Sequence, residues 1–317
     1  TMPVKFGIPM IEGNKDIIAG ITDLTTEADA AESQKDSYGK LQFFSDFSIA
    51  PSYLIQGTID NSIPAWMNED GTLNENAVKE YLEQVNRIWQ TQKNAIEETK
   101  KAYQMGDDWA DSDHSGYMDI SGSVTSLLAK VDTVAAGGLL SPEGLVSLDS
   151  ARKVDPDLDY KLLNGQSENC FYPRSAVGVS AKASEKEAAE KFVKFLFEEE
   201  SQRASNTEGL AVNSKVYEDM AYWKMGKSSG DTIGSIGTSY DTGDGNIKQF
   251  VMDEIIPEDE AIQNIMDLGK TLTVPAKSNQ IIRSAVTESG EKYLNGETGL
   301  DDAVKEIMQE VNLYLSE

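Results

Sequence analysis

The chain has 317 residues, of which 54 are acidic and 28 are basic, so its formal net charge at pH 7 is −26. This charge repels phosphate backbones and anionic lipids, which excludes non-specific binding to nucleic acid or to a membrane surface. One histidine and one cysteine are too few for a zinc-ligand cluster, a disulfide framework or a Ser-His or Cys-His catalytic pair. Including glycine, roughly 47% of the residues are apolar, which is typical of a globular chain, and this length favours two lobes.

The N-terminal segment alternates apolar residues at Val4, Phe6 and Ile8, which predicts a β-strand that ends at Pro9. No charged segment followed by an apolar one precedes this strand, so the sequence shows no signal peptide. A fold that opens in mid-strand leads us to expect that earlier sequence is missing. We also find no run of about eighteen apolar residues, so no membrane-spanning helix is predicted.

A capping-box sequence, Thr72-Leu73-Asn74-Glu75, predicts the start of a long helix. The apolar residues that follow recur at helical spacing and predict one buried face. That face comprises Val78, Tyr81, Leu82, Val85, Ile88 and Trp89. The acid-rich residues 106–113 are predicted to form a loop.

The next predicted unit is a short strand over 117–120 that runs into Ser121-Gly122 and then a helix. Free backbone N–H groups at such a helix start lie at the carboxyl end of a strand, where open α/β sheets bind ligands. The apolar positions of the helix extend to Val134 and Ala135, and Gly137-Gly138 is expected to end it.

The second half of the chain continues the alternation of strands and helices, which favours an α/β fold. Strands are predicted over 159–163 and 176–181, and a capping box at 184–187 predicts a helix whose apolar residues face inward. Residues 209–213 interrupt the pattern, residues 227–246 are predicted to be a loop, and helices are predicted over 258–268, 278–294 and 301–315. The inward-facing residues of the helix that begins at the capping box 184–187 are Ala188, Ala189, Phe192, Val193, Phe195 and Leu196.

Motifs for catalysis or cofactors are weak. Asp155, Asp157 and Asp159 have the spacing that opens a calcium loop, but Tyr160 and Gln166 replace the expected Gly and Glu, which favours a solvated turn. No phosphate-binding loop or dinucleotide fingerprint is present, so no cofactor is predicted. Acidic residues are too numerous for the sequence to single out the carboxylate pair of a glycan-cleaving enzyme.

Four segments in the same order resemble family 1 extracellular solute-binding proteins, the ligand-capturing subunits of ABC importers. The segments are 116–123, Ser175-Ala176-Val177-Gly178-Val179-Ser180-Ala181 with the helix after it, Gly209-Leu210-Ala211-Val212-Asn213, and Tyr293-Leu294-Asn295-Gly296-Glu297 through 315. Together they cover most of the chain beyond Tyr38.

The resemblance implies a periplasmic-binding-protein-like (type II) fold of two α/β lobes, with the ligand held between them. It implies a first hinge strand at 1–9, a C-terminal lobe over 10–180, a returning segment of the N-terminal lobe over 181–272 and C-terminal helices over 273–317. Further hinge crossings are expected near Val179 and at 272–275. The earlier part of the N-terminal lobe and a lipoprotein signal would then be missing.

The resemblance also suggests site residues, although two tryptophans that sugar-binding relatives use are replaced here by Val124 and Asn279. Asp46 is expected to accept hydrogen bonds from ligand hydroxyls, Phe47 or Tyr172 to stack on the ligand, and Ser121-Gly122 to donate to it. Trp66 and Trp109 are further aromatic candidates because both are predicted to lie in or beside loops. No catalytic or metal-ligating residue is predicted.

The implied function is a non-catalytic receptor that captures a solute, most simply a carbohydrate, outside the cytoplasm and delivers it to ABC permease subunits. The receptor is expected to be monomeric and to touch the membrane only through a lipid anchor that this chain lacks. A peptide or polyamine receptor of the same fold remains an alternative. A secreted glycan-cleaving enzyme using paired carboxylates is the alternative from another class of protein.

Overall fold

The computed structural model describes residues 2–34, 50–102, 124–125, 127–128, 134–204, 209–241, 247–277 and 279–315. Its strands are β1 (Met2–Asn14), β2 (Val134–Leu140), β3 (Leu158–Leu162), β4 (Cys170–Val177), β5 (Leu210–Ala211), β6 (Thr232–Asp241), β7 (Ile247–Ile255) and β8 (Val274–Pro275). Its N-terminal helices are α1 (Lys15–Ile18), α2 (Leu24–Gln34), α3 (Pro51–Ile59), α4 (Ile63–Trp66), α5 (Glu75–Ala102) and α6 (Pro142–Val154). Those that follow are α7 (Lys186–Leu196), α8 (Glu199–Arg203), α9 (Ser214–Tyr217), α10 (Met220–Trp223), α11 (Asp259–Thr271), α12 (Gln280–Leu294) and α13 (Leu300–Leu315).

Strand β1 organises a six-stranded mixed sheet. It pairs antiparallel with β2, β3, β4 and β5, and β4 pairs in parallel with β8. The prediction that β1 ends at Pro9 was wrong, because Pro9 lies opposite Leu139 and its carbonyl oxygen accepts a 2.9 Å hydrogen bond from the Leu163 N–H. The strand stays buried on both faces from Gly7 to Gly13, which is why its hydrophobic alternation stops while the strand continues.

Helices cover both faces of this sheet. Ile11, Val134 and Leu163 of the sheet region pack into a core formed with α1 to α5, α12 and α13. Ile8 and Leu140 belong to a second core that includes α6, α9, α10, α11 and parts of the β6–β7 hairpin. The described chain is therefore a helix–sheet–helix sandwich, and the predicted α/β class is confirmed.

Helix α5 confirms the predicted apolar face, whose six residues are all buried. Its predicted cap was wrong: the side chain of Asn74, not Thr72, accepts hydrogen bonds from the N–H groups of Asn76 at 3.1 Å and Ala77 at 3.2 Å. The Thr72 hydroxyl instead donates to Asp70 at 2.6 Å. Asn is as good an N-cap as Thr, so the helix begins two residues later than its capping-box pattern suggests.

Residues Val134–Leu140 are a strand, not the end of a helix, because they pair with β1. Residues 124–125 and 127–128 are helical as predicted. The predicted strand at 176–181 is displaced, since β4 ends at Val177 after starting at Cys170. The predicted strand at 117–120 and loop at 106–113 lie outside the described residues.

Two further predictions were wrong. Much of the predicted loop at 227–246 is β6, which forms a long antiparallel hairpin with β7. Helix α7 forms where expected, but its N-cap residue Glu185 makes no side-chain capping bond, and no residue of the helix is buried. The three C-terminal helices and β3 are confirmed to within a few residues.

Candidate functional site

A turn between α3 and α4 gathers the elements that carry three of the predicted site residues. The turn comprises Asp60, Asn61 and Ser62, all of them buried. The Ser62 hydroxyl donates to the carbonyl of Thr58 at 2.8 Å, which continues the helical turn beyond α3. We call this group the polar turn.

The polar turn binds the start of β4. The carbonyl oxygen of Asn61 accepts hydrogen bonds from the Ser167 N–H at 3.1 Å and from the Cys170 thiol at 3.8 Å. Burial raises the pKa of Cys170 to about 11, so the thiol stays protonated and is a poor nucleophile at neutral pH. Tyr172 follows on the same strand, opposite Gly7 of β1, and is 6% exposed.

The polar turn also binds the start of α12. The carbonyl of Asp60 accepts from the Lys277 N–H at 3.1 Å, and its carboxylate accepts from the Arg283 guanidinium at 2.5 Å. This ion pair is largely removed from water, since the Asp60 side chain is 3% exposed and that of Arg283 is 19% exposed. Breaking such a pair leaves a buried charge, so it fixes the position of α12 strongly.

Asn279 is the N-cap of α12. Its side-chain oxygen accepts from the N–H groups of Ile281 at 3.0 Å and Ile282 at 3.2 Å. The side-chain oxygen of Asn279, a predicted ligand residue, is therefore used to cap the helix. Its amide NH₂ is the part of the side chain that could donate to an acceptor on a solute.

Trp66 lies at the end of α4, four residues after the polar turn, and its side chain is fully buried. Its indole N–H donates to the Gln166 side chain at 2.5 Å, and its ring meets that of Tyr81 edge-on with centroids 5.0 Å apart. In this structure Trp66 contributes to the core, and a solute would reach the ring only if its cover moved.

Phe6 of β1, Phe171 of β4 and Tyr217 of α9 form an aromatic group. The ring centroids of Phe6 and Phe171 are 6.2 Å apart in an edge-on arrangement, and those of Phe6 and Tyr217 are 5.5 Å apart. Phe6 and Phe171 are half-buried, and Phe6 packs against the second core. Phe6 and Phe171 were not among the predicted site residues, and in this structure their rings pack on one another edge-on.

The other predicted site residues, Asp46, Phe47, Trp109, Ser121 and Gly122, lie outside the described residues. Their ligand contacts therefore stay predictions. Within the described part of the chain, no three His, Cys, Asp or Glu side chains are grouped so that they could hold a metal ion. The helices of that part also include none long and apolar enough to cross a membrane.

The α/β fold is that of solute-binding proteins of the type II periplasmic-binding-protein class. The profile of a family described as "Bacterial extracellular solute-binding protein" matches residues 8–203. The chain therefore belongs to this family, whose members act outside the cytoplasm. A search of curated protein sequences finds no match.

Solved structures share the fold at low identity. A candidate oligosaccharide periplasmic-binding protein from Synechococcus sp. MITs9220 is 12% identical with a TM-score of 0.55, over 99% of this chain and 72% of that one. A Streptococcus pneumoniae solute-binding protein in complex with the blood group A-trisaccharide is 13% identical with a TM-score of 0.50, over 100% and 72%. Lmo0181 of Listeria monocytogenes, an ABC substrate-binding protein in complex with cycloalternan, is 15% identical with a TM-score of 0.50, over 99% and 71%.

Proposed function

We propose that this protein is the receptor of an ABC importer and that its solute is a carbohydrate. The observation that carries the proposal is the family match over residues 8–203, on a fold shared with solved structures in complex with sugars. Solute binding would close the protein around the sugar and present a changed surface to the permease subunits. The receptor acts as a monomer, does no chemistry on its solute and is held at the membrane by a lipid anchor.

The lobes divide as the resemblance suggests, with hinge strand 1–9, C-terminal lobe 10–180, returning segment 181–272 and helices 273–317. Asp46 and Phe47 supply an acceptor and a stacking ring, and Ser121-Gly122 supplies donors. The amide of Asn279 and the ring of Tyr172 approach the solute from the two elements that the polar turn holds together. These roles suit a sugar, which offers both hydroxyl groups and an apolar ring face.

A thermal-shift screen tests the proposal on the protein translated from its complete reading frame. The probes are neutral oligosaccharides, short peptides and polyamines, each followed by chromatography of the probe after incubation. An oligosaccharide at 100 times its Kd should add about 2.7 kcal/mol to the free energy of unfolding and leave the chromatography unchanged. Stabilisation only by peptides or polyamines would favour those receptors, and shortened sugar would show a glycan-cleaving enzyme.

Site variants locate the binding site. Asp46→Asn and Phe47→Ala should each weaken sugar binding at least tenfold without changing the melting temperature of the free protein. Asp302→Asn, an exposed carboxylate in the first turn of α13, is the matched control and should bind normally. Equal affinity in all three variants would remove Asp46 and Phe47 from the site.

A further inference from the structure

The buried end of β1 carries an acidic residue on a face that is otherwise apolar. Ile8 and Met10 belong to the second core, and Glu12 is the next residue on the same face, because side chains alternate along a strand. Glu12 is only 6% exposed. Its partner on β3, Tyr160, also packs against the second core. Because burying a carboxylate opposes folding, an acidic residue at such a position is a candidate for a function and not for packing.

Glu12 lines a pocket that lies between the sheet and α6. Val124, Leu127 and, from α6, Leu148 contribute apolar side chains to the wall of this pocket. The space inside is about the size of one water molecule or of one small polar group. We call it the Glu12 pocket, and the polar side chains that line it are Glu12, Arg152, Asp159 and Tyr160.

The charged side chains of the Glu12 pocket lie at different depths. The Arg152 Nε lies 3.3 Å from the Asp159 carboxylate, and the Arg152 guanidinium lies over the Tyr160 ring at 5.1 Å from its centroid. Arg152 and Asp159 form the rim, since their side chains are 42% and 45% exposed. Glu12 lies deeper. Two carboxylates and one guanidinium give the pocket a formal net charge of −1.

Two lysines that flank the pocket along the chain have acidic partners of their own. Lys15 lies 3.1 Å from Asp157, and Lys153 lies 3.0 Å from Asp149. Neither lysine lines the pocket. The chain as a whole has a net charge of −26, and such a field attracts cations and repels anions. The pocket therefore favours a positively charged group that comes from outside the chain.

From this pocket we infer that the solute is an amino sugar, a carbohydrate with a protonated primary amine, and that Glu12 accepts a hydrogen bond from its ammonium group. An ammonium group is close in size to a water molecule, has three N–H donors and balances the formal charge of the pocket. Val124 of the pocket wall follows Gly122 by two residues, so the pocket adjoins, along the chain, a segment that the proposed function assigns to the solute. The class of sugar thus rests on the proposed function.

Other occupants fit the Glu12 pocket less well. A hydroxyl group has a suitable size but brings no positive charge, and a carboxylate or phosphate group is repelled. A calcium ion takes six to eight oxygen ligands, whereas the side chains that line the pocket include two carboxylates. A primary ammonium group suits the pocket in both size and charge.

Calorimetric titration with matched sugars tests the inference on the protein translated from its complete reading frame. The pairs are glucosamine with glucose, galactosamine with galactose, and the β-1,4-linked glucosamine disaccharide with cellobiose, at pH 6, where the amines are protonated. In a pair that binds, the amino form should bind at least tenfold more tightly, because a charge-assisted hydrogen bond replaces a neutral one. N-acetylation of the amino sugar should remove this advantage. The comparison needs no substitution, so it does not depend on the folding of a variant.

A substitution then assigns the preference to one side chain. Glu12→Gln should reduce the preference for the amino form to less than threefold. Asp157→Asn is the matched control, because it removes a carboxylate that is 70% exposed and does not line the pocket, and it should keep the full preference. An unchanged preference in Glu12→Gln, or an equal loss in Asp157→Asn, would overturn the role of Glu12.

The titrations also separate this inference from the proposed function. Amino and neutral sugars that bind with equal affinity would overturn the preference for an amino sugar and leave the carbohydrate receptor standing. The absence of binding by every amino sugar would overturn it too, and in that case binding of a neutral sugar would still support the receptor. If no sugar of either form binds, both are contradicted.

Discussion

The side chain of Glu27 places a carboxyl group in the protein interior. Replacing Glu27 by Gln tests how this burial makes the free energy of unfolding depend on pH. Glu27 lies in the first turn of α2 with its side chain 1% exposed, and its Oε1 finds no hydrogen-bond partner among the described residues. Burial, with a smaller contribution from the negative charge of Asp23, raises the pKa of Glu27 to about 8. The carboxyl group is therefore neutral in the folded protein at pH 7, whereas it is ionised in the unfolded chain.

The magnitude follows from this difference in pKa. Between pH 4.5 and pH 8 the folded state holds a proton that the unfolded state releases, so the free energy of unfolding falls as the pH rises through this window. From the ordinary pKa of 4.5 to pH 7 the span is about 2.5 units, which corresponds to about 3 kcal/mol at 1.36 kcal/mol per unit. Glu27→Gln removes this dependence because the amide does not titrate.

Urea unfolding at pH 4.5, 5.5, 6.5 and 7.5 measures the effect. The free energy of unfolding of Glu27→Gln relative to the wild type should rise by about 3 kcal/mol between pH 4.5 and pH 7. Glu80→Gln, an isosteric change at an exposed position of α5, is the control and should follow the wild type. A constant difference between Glu27→Gln and wild type at all four pH values would refute the argument.

Four other substitutions test the packing. Arg283→Met should lower the free energy of unfolding by about 3–5 kcal/mol, because it removes the positive charge paired with the buried Asp60 carboxylate. Adding Asp60→Leu should recover most of the loss. Chemical denaturation measures both variants, and an additive double variant would contradict the coupling. Gly269→Ala should destabilise α11 because its Cβ would overlap the Tyr217 hydroxyl, which lies 3.3 Å from two carbonyls of that helix. Gly57→Ala has open space around the new Cβ in α3 and should instead raise the free energy of unfolding by up to about 1 kcal/mol. If the melting temperatures of Gly269→Ala and Gly57→Ala change in the same direction, this contrast is contradicted.

The sequence predicted correctly those elements that bury one face and therefore show a regular hydrophobic period. The apolar face of α5 and the C-terminal helices follow from a helical period that repeats over several turns. The strand Val134–Leu140 could not be recognised, because a short run of Ala, Gly and Leu becomes a strand only through its pairing with β1. The β6 segment was predicted to be a loop for the same reason, since its Gly, Ser and Thr residues are typical of loops unless a partner strand is present.

The site was harder to predict because long-range contacts form it. Asp60 and Arg283 are 223 residues apart, and neither has a local pattern that marks it as the partner of a buried ion pair. Trp66 illustrates the converse, since the sequence indicates an aromatic residue beside a loop and cannot show that Gln166 and Tyr81 enclose it. In α7 the helical period predicted an inward-facing apolar stripe, but no residue of this helix is buried, because a period alone cannot show what packs against it.

A calorimetric titration of the complete protein with the oligosaccharide that stabilises it most is the most direct test of the central claim. The account predicts saturable binding with one sugar per protein, and recovery of the sugar intact after prolonged incubation. Asp46→Asn should weaken the same titration at least tenfold. Hydrolysis of the bound sugar, or the absence of binding by any carbohydrate in the screen when a peptide or polyamine binds, would contradict it.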